Sequence, residues 1–154
     1  MRLVRTCWRY AQAILGIVFR HPITGVAIIP VLPDGRIVLA RHQGTDEWAI
    51  PGGFVDWGEE VLATARRELL EETGLTLVRV RRLVGVYSAP DRDPRLHAIS
   101  IVLAADAEGE PGAHDTAEIA EVRAFAEGEL PFGRLRHDHD RKLADYLADR
   151  TAVA

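Results

Sequence analysis

At 154 residues, 47% of them hydrophobic, the chain is long enough to bury one compact core and too short for two independent domains of ordinary size. A net charge of −4 argues against a general nucleic-acid binder, which needs a basic excess to displace counterions from phosphates. The one cysteine, Cys7, cannot close an intramolecular disulfide, so nothing demands an oxidising compartment and the cytoplasm is the expected location.

In chain order, residues 1–22 come first. MRLVRTCWRYAQAILGIVF starts basic and turns apolar, as a secretory signal does, but its apolar run is too short to span a bilayer. Arg20, His21 and Pro22 also follow it where a small-residue cleavage site is needed. At helical period Leu3, Cys7, Ala11, Ile14 and Val18 share one side, and Arg2, Arg5, Arg9 and Gln12 another, which predicts a basic amphipathic helix. Left bare, such a stripe exposes more apolar surface than a soluble monomer tolerates. The expectation is therefore packing on the domain or on a second copy, a homodimer, in preference to contact with a membrane.

The domain proper is expected over residues 23–150. ITGVAIIPVL and RIVLAR read as two strands around a turn at Asp34 and Gly35, with Pro30 predicting a bulge or an edge position. Trp48 to Ile50 leads into Pro51 and the pair Gly52 and Gly53, where the backbone turns sharply or approaches something closely. Trp48 reads as core in preference to a stacking platform for a base. A helix follows and stops at Gly74. Val78 to Ser88 and His97 to Ala105 read as strands, Asp106 to Gly112 as a loop, Glu121 to Ala126 as a last strand and Asp138 to Arg150 as a closing helix. The run His137, Asp138, His139, Asp140 reads as a helix start, where acids complement the dipole, in preference to a metal site. Strands mixed with a few helices in one short chain make an α/β or α+β sandwich.

The helix after the glycine pair carries the chemistry. With Glu68 as reference and about 100° per residue, Glu72 lies about 40° to one side and Glu71 about 60° to the other. Leu62, Ala65 and Leu69 line a neighbouring face that fixes the helix on a core and so fixes where the acids point. Like charges this close repel or raise one another's pKa. A hard divalent cation, which takes oxygen ligands from carboxylates, water and phosphate, removes the conflict.

GGFVDWGEEVLATARRELLEETGL matches the pattern G-x5-E-x7-R-E-U-x-E-E-x-G-U, with U aliphatic, at Gly53, Glu59, Arg67, Glu68, Leu69, Glu71, Glu72, Gly74 and Leu75. A chance match at a given start is on the order of one in a billion at ordinary residue frequencies. The chain thereby resembles the Nudix hydrolase family. The resemblance implies an α/β/α sandwich with a mixed β-sheet between helices, and hydrolysis of a nucleoside diphosphate linked to another moiety. It also implies two or more Mg²⁺ or Mn²⁺ ions held by Glu68, Glu71, Glu72 and the Gly53 carbonyl, with Glu59 and Arg67 bracing the box. Family members take the general base from the box or from a later loop, so Glu72, Glu118 and Glu121 stay open.

Beyond the box, PDRDPR with Pro90 and a following H-x-x-S strand is similar to the ADP-ribose pyrophosphatase subgroup, which implies a nucleotide as substrate and AMP plus a sugar phosphate as products. Asp91, Arg92 and Arg95 then border the pocket, arginine being suited to paired contacts with phosphate; the plain alternative is a loop stiffened by its prolines. Arg41 and His42 end a strand beside the box and, with Gly52 and Gly53, are candidates to touch substrate. Two rival functions stand beside this reading: a MutT-type nucleoside-triphosphate pyrophosphatase, and a catalytically silent nucleotide-sensing Nudix module.

Overall fold

A computed structural model describes residues 21–93 and 96–154. The amphipathic helix expected at the N-terminus, the dimer interface assigned to it, and Arg95 of the proline loop lie outside the described residues. The elements are β1 (Ile23–Val31), β2 (Ile37–His42), β3 (Trp48–Ala49), β4 (Gly52–Phe54), α1 (Val61–Thr73), β5 (Thr76–Tyr87), β6 (Ala98–Glu108), β7 (Ile119–Phe125), a 3₁₀ turn (Glu127–Glu129), α2 (His139–Leu147) and β8 (Ala152–Val153). Among the described residues no helix is long and apolar enough to cross a membrane.

The strands form one mixed sheet in the order β3-β2-β1-β6-β5-β8, with β4 also pairing β1 and β7 pairing β2. β1 runs parallel to β6 over its whole length, and β5 returns antiparallel beside β6. Because β1 is interior and buried on both faces, its sequence is a continuous apolar run instead of an alternating one. Alternate residues nevertheless serve different layers. Val26 and Ile28 pack with Ala65 and Leu69 of α1, while Ala27, Ile29 and Val31 pack with Trp48, Phe125 and Leu143 of α2. The sheet is thus sandwiched between helices, the expected α/β/α arrangement. Trp48 is core, 6% exposed and edge-on to Phe125 at 4.9 Å between ring centres.

Two expectations are corrected. Pro30 is neither at an edge nor in a bulge: its register with Ala105 of β6 is continuous. Ile28 sends its N–H to Pro51 and Leu32 to Arg36, so by alternation the face of β1 where Pro30 lacks a donor is the β4 and β2 side. There the pairing passes from β4 at Gly25 to Ala27 over to β2 at Val31, and one ladder bond is dispensable. Asp106 to Glu108 are strand and not loop. The acid-rich composition hides a period of two, in which Ala105 and Ala107 are buried against α1 while Asp106 faces outward and takes Arg79 at 2.7 Å and Arg81 at 2.6 Å.

Candidate active site

Helix α1 is held at both ends so that its acids face the end of the sheet. At its start Glu60 makes no side-chain cap; instead Glu59 accepts from the Thr64 hydroxyl at 2.7 Å and from Arg67 at 3.1 and 3.2 Å. These bonds hold the Glu59 carboxyl down at about 2. At its end Gly74 adopts φ 70° and closes the helix onto the Leu70 carbonyl. The loop after β6 supplies two more donors to the helix's last carbonyls, Gly112 N–H to Thr73 at 2.9 Å and Asp115 N–H to Glu71 at 3.0 Å. That loop ends at Glu118, whose carbonyl takes the Gln43 N–H at 2.8 Å.

The glycine pair lets the backbone come up against the acids. A Cβ on Gly53 would run into the Glu68 carboxylate, and one on Gly52 would strike the backbone of Val26 and Ala27. Gly52 also takes φ 156°, which other residues avoid, and donates its N–H to Glu72 at 3.0 Å. Arg67 reaches Glu68 at 2.7 Å and Glu71 at 3.4 Å on the other side. Burial, reinforced by Glu68 and Glu118, pushes the Glu72 carboxyl up to about 8, against the opposing pull of the Gly52 N–H. Burial also raises Glu68, and Arg67 limits the rise.

Among the described residues no three His, Cys, Asp or Glu side chains form a ready-made metal cluster. The donor chemistry still fits a hard cation: a buried and a half-buried carboxylate that resist ionising side by side, with carboxylate oxygens turned to a close backbone, are relieved by a divalent ion. Glu68 and Glu72 would hold it from the cavity, and Glu71 from the same helical face.

Glu68, Glu72 and Glu118 line one cavity of about 490 Å³ together with Gly52, Gly53, His42 and Arg92. That volume lies in the usual range for a small-molecule site. His42 Nε2 stands 3.9 Å from Glu72. Other candidates are placed elsewhere. Arg41 pairs with Glu121 at 2.9 Å across β2 and β7 and lies over the Trp48 ring, so neither of the pair lines the cavity. Asp91 is exposed, and Glu71 and Arg67 lie outside the lining.

The sequence reading missed the second side of this cavity. Asp138 is the N-cap residue of α2, yet its side chain makes no cap and instead binds Lys142 at 3.0 Å and Arg92 at 3.3 Å. His139 accepts the Ile50 N–H on Nδ1 at 2.9 Å, and desolvation among neighbouring cations keeps its pKa well below the ordinary imidazole value. Only Asp140 turns away, taking the Gly133 N–H at 2.8 Å. The helix-start reading of this run therefore gives the right backbone and the wrong destinations for Asp138 and His139. The one available signal was Lys142 standing four residues after Asp138.

A family model described as the NUDIX domain matches residues 21–147. The ADP-ribose pyrophosphatase of Methanocaldococcus jannaschii is 42% identical over 133 residues, covering 84% of this chain and 75% of its own. The oxidized purine nucleoside triphosphate hydrolase of Danio rerio is 32% identical over 118 residues, 73% of this chain and 72% of its own. Among solved structures, a MutT NUDIX hydrolase from Burkholderia pseudomallei superposes with a TM-score of 0.70 at 30% identity, covering 82% of this chain and 98% of its own. With the box residues at every fixed position and the family fold around them, the chain belongs to the Nudix hydrolase family.

Proposed function

We propose that this Nudix pyrophosphohydrolase cleaves ADP-ribose, water adding across the pyrophosphate to give AMP and ribose 5-phosphate. The observation that carries the choice of substrate is the 42% identity to an ADP-ribose pyrophosphatase across 84% of the chain. Mg²⁺ or Mn²⁺, two or more ions per site, would neutralise the phosphate charge and make the attacking water more acidic. Glu68, Glu71, Glu72 and the Gly53 carbonyl are the proposed ligands.

The chain's own residues do the rest. Arg67 aims Glu68 through its 2.7 Å contact, and the Gly52 N–H fixes one oxygen of Glu72. Glu118 is the favoured base, because it lines the cavity on a loop tied to α1, whereas Glu121 is engaged by Arg41. His42 and Arg92 are within the lining and are assigned to substrate, as are Gly52 and Gly53. The single cysteine fits a cytoplasmic location.

A triphosphate is the second reading, favoured by the 32% identity to the Danio rerio enzyme. A panel of ADP-ribose, NADH, nucleotide sugars, dinucleoside polyphosphates and triphosphates, assayed with each metal, tests the choice. The highest kcat/KM should be on ADP-ribose with AMP as product; faster release of pyrophosphate from a triphosphate would overturn it.

A further inference from the structure

The α2 side of the cavity is built from three charges, of which the proposed hydrolysis gives only Arg92 a task. Lys142 is 2% exposed, the Arg92 side chain 11% and the Asp138 side chain 14%, and all three line the cavity. Burying a lysine and an arginine is costly unless each is paired. Here one acid binds both, and Arg92 also donates to the Ala98 carbonyl at 2.8 Å. Cations so engaged are poor seats for a further phosphate.

The same arrangement has capacity left for a neutral group. Asp138 Oδ1 takes both cations, while Oδ2 has only Arg92 at 3.5 Å among the described residues. Arg92 Nε is buried and makes no hydrogen bond among them. An open acceptor thus stands in the lining, oriented by a guanidinium whose remaining donor is sealed from the cavity. Sugar hydroxyls donate and accept at once, and a hydroxyl given to a carboxylate is a strong, charge-assisted bond.

We propose that Asp138 reads a hydroxyl of the terminal ribose of ADP-ribose, with Lys142 a positioning residue that holds Asp138 and Arg92 the guanidinium that orients it. This rests on the ADP-ribose reading and adds the residues that separate a sugar from a third phosphate. Asp138 binds the sugar only if Lys142 and Arg92 keep it ionised and oriented in the lining.

The test compares binding of ADP-ribose and of ADP, which lacks the terminal ribose, by calorimetry in EDTA with the wild type, Asp138→Asn and Lys142→Met. The wild type should favour ADP-ribose, and both variants should lose about 10- to 100-fold in ADP-ribose affinity with ADP affinity unchanged. In turnover with metal, Asp138→Asn should raise KM for ADP-ribose by the same factor with kcat little altered. Equal losses on ADP-ribose and ADP, or a preference that survives Asp138→Asn, would overturn the proposal. Should Asp138→Asn fail to fold because it strands a buried cation, the pair Asp138→Asn with Lys142→Met carries the same comparison. Wild-type turnover separates the two claims: a ribose-dependent preference without cleavage of ADP-ribose refutes the proposed function and upholds the hydroxyl-reading wall.

Discussion

Gly52 and Gly53 are neighbours that fail in different ways when a methyl is added, and the difference reads out what each is for. At Gly52 the new Cβ meets the backbone of Val26 and Ala27, in the centre of the sheet, and φ 156° is one that alanine avoids. Neither strand can withdraw without losing pairing. Overpacking costs about 1–3 kcal/mol and the strained φ about another 1–3, so Gly52→Ala should lose about 2–6 kcal/mol of stability. At roughly 2–4 °C per kcal/mol for a chain of this size, the melting temperature should fall on the order of 10 °C. At Gly53 the obstacle is the Glu68 carboxylate, the end of a flexible side chain, so Gly53→Ala should fold with a melting temperature within a few degrees of wild type. Glu68 would then be turned away, and kcat should fall with the fold intact. Thermal denaturation by circular dichroism, with and without Mg²⁺, and turnover of the folded fraction measure both effects. Added Mg²⁺ should raise the wild-type melting temperature by mass action, and that rise should shrink in Gly53→Ala. A Gly53→Ala protein with full activity and an undiminished Mg²⁺ shift would refute the idea that the glycine makes room for a working carboxylate.

Three further outcomes are expected. The metal-free protein should lose stability as pH rises from about 4.5 to about 8, because over that window folded Glu72 keeps a proton that the unfolded chain has released; Glu72→Gln should flatten the slope in urea melts made in EDTA, and an unchanged slope would count against a buried, neutral Glu72. Glu118→Gln should lower kcat by about 10²–10⁴ while Glu121→Gln, whose carboxylate serves Arg41, should cost far less; the reverse order in steady-state assays would move the base to β7. Leu69→Ala empties a fully buried position between α1 and the sheet and should cost about 2–5 kcal/mol in a urea melt, a loss under 1 kcal/mol showing that the helix is not anchored there.

What the sequence disclosed depended on how far apart the interacting residues stand. Inside the box the partners stand close in the chain, and the resemblance carried by Glu59, Arg67, Glu68, Glu71 and Glu72 implied the bracing that Arg67 provides. The αL stop at Gly74 was legible for the same reason. The Arg41 and Glu121 pair spans two strands that only the sheet brings together, and nothing local announced it. Asp138 had a local partner in Lys142, but its second partner, Arg92, comes from the loop after β5, and a helix-start acid is the ordinary local meaning of that aspartate. β8 is two residues long and holds β5 through backbone bonds, such as Ala154 N–H to Val86 at 2.9 Å, which no side-chain pattern encodes.

The two sides of the cavity are coupled by the alternation of one strand. Val26, at the mouth of β1, belongs to the layer that seats α1, and Ala27 to the layer that seats α2. Gly52 and Gly53 of β4 pair with these two residues, so the backbone that approaches Glu68 and Glu72 is registered against the strand that positions both helices. A register slip of one residue would exchange the two faces of β1 and break both cores together. The acid-bearing helix and the Asp138 wall therefore hold their relative positions through a shared strand, without a direct bond between them being required. That is the arrangement a hydrolase needs if one side is to hold the pyrophosphate and the other to recognise what is attached to it.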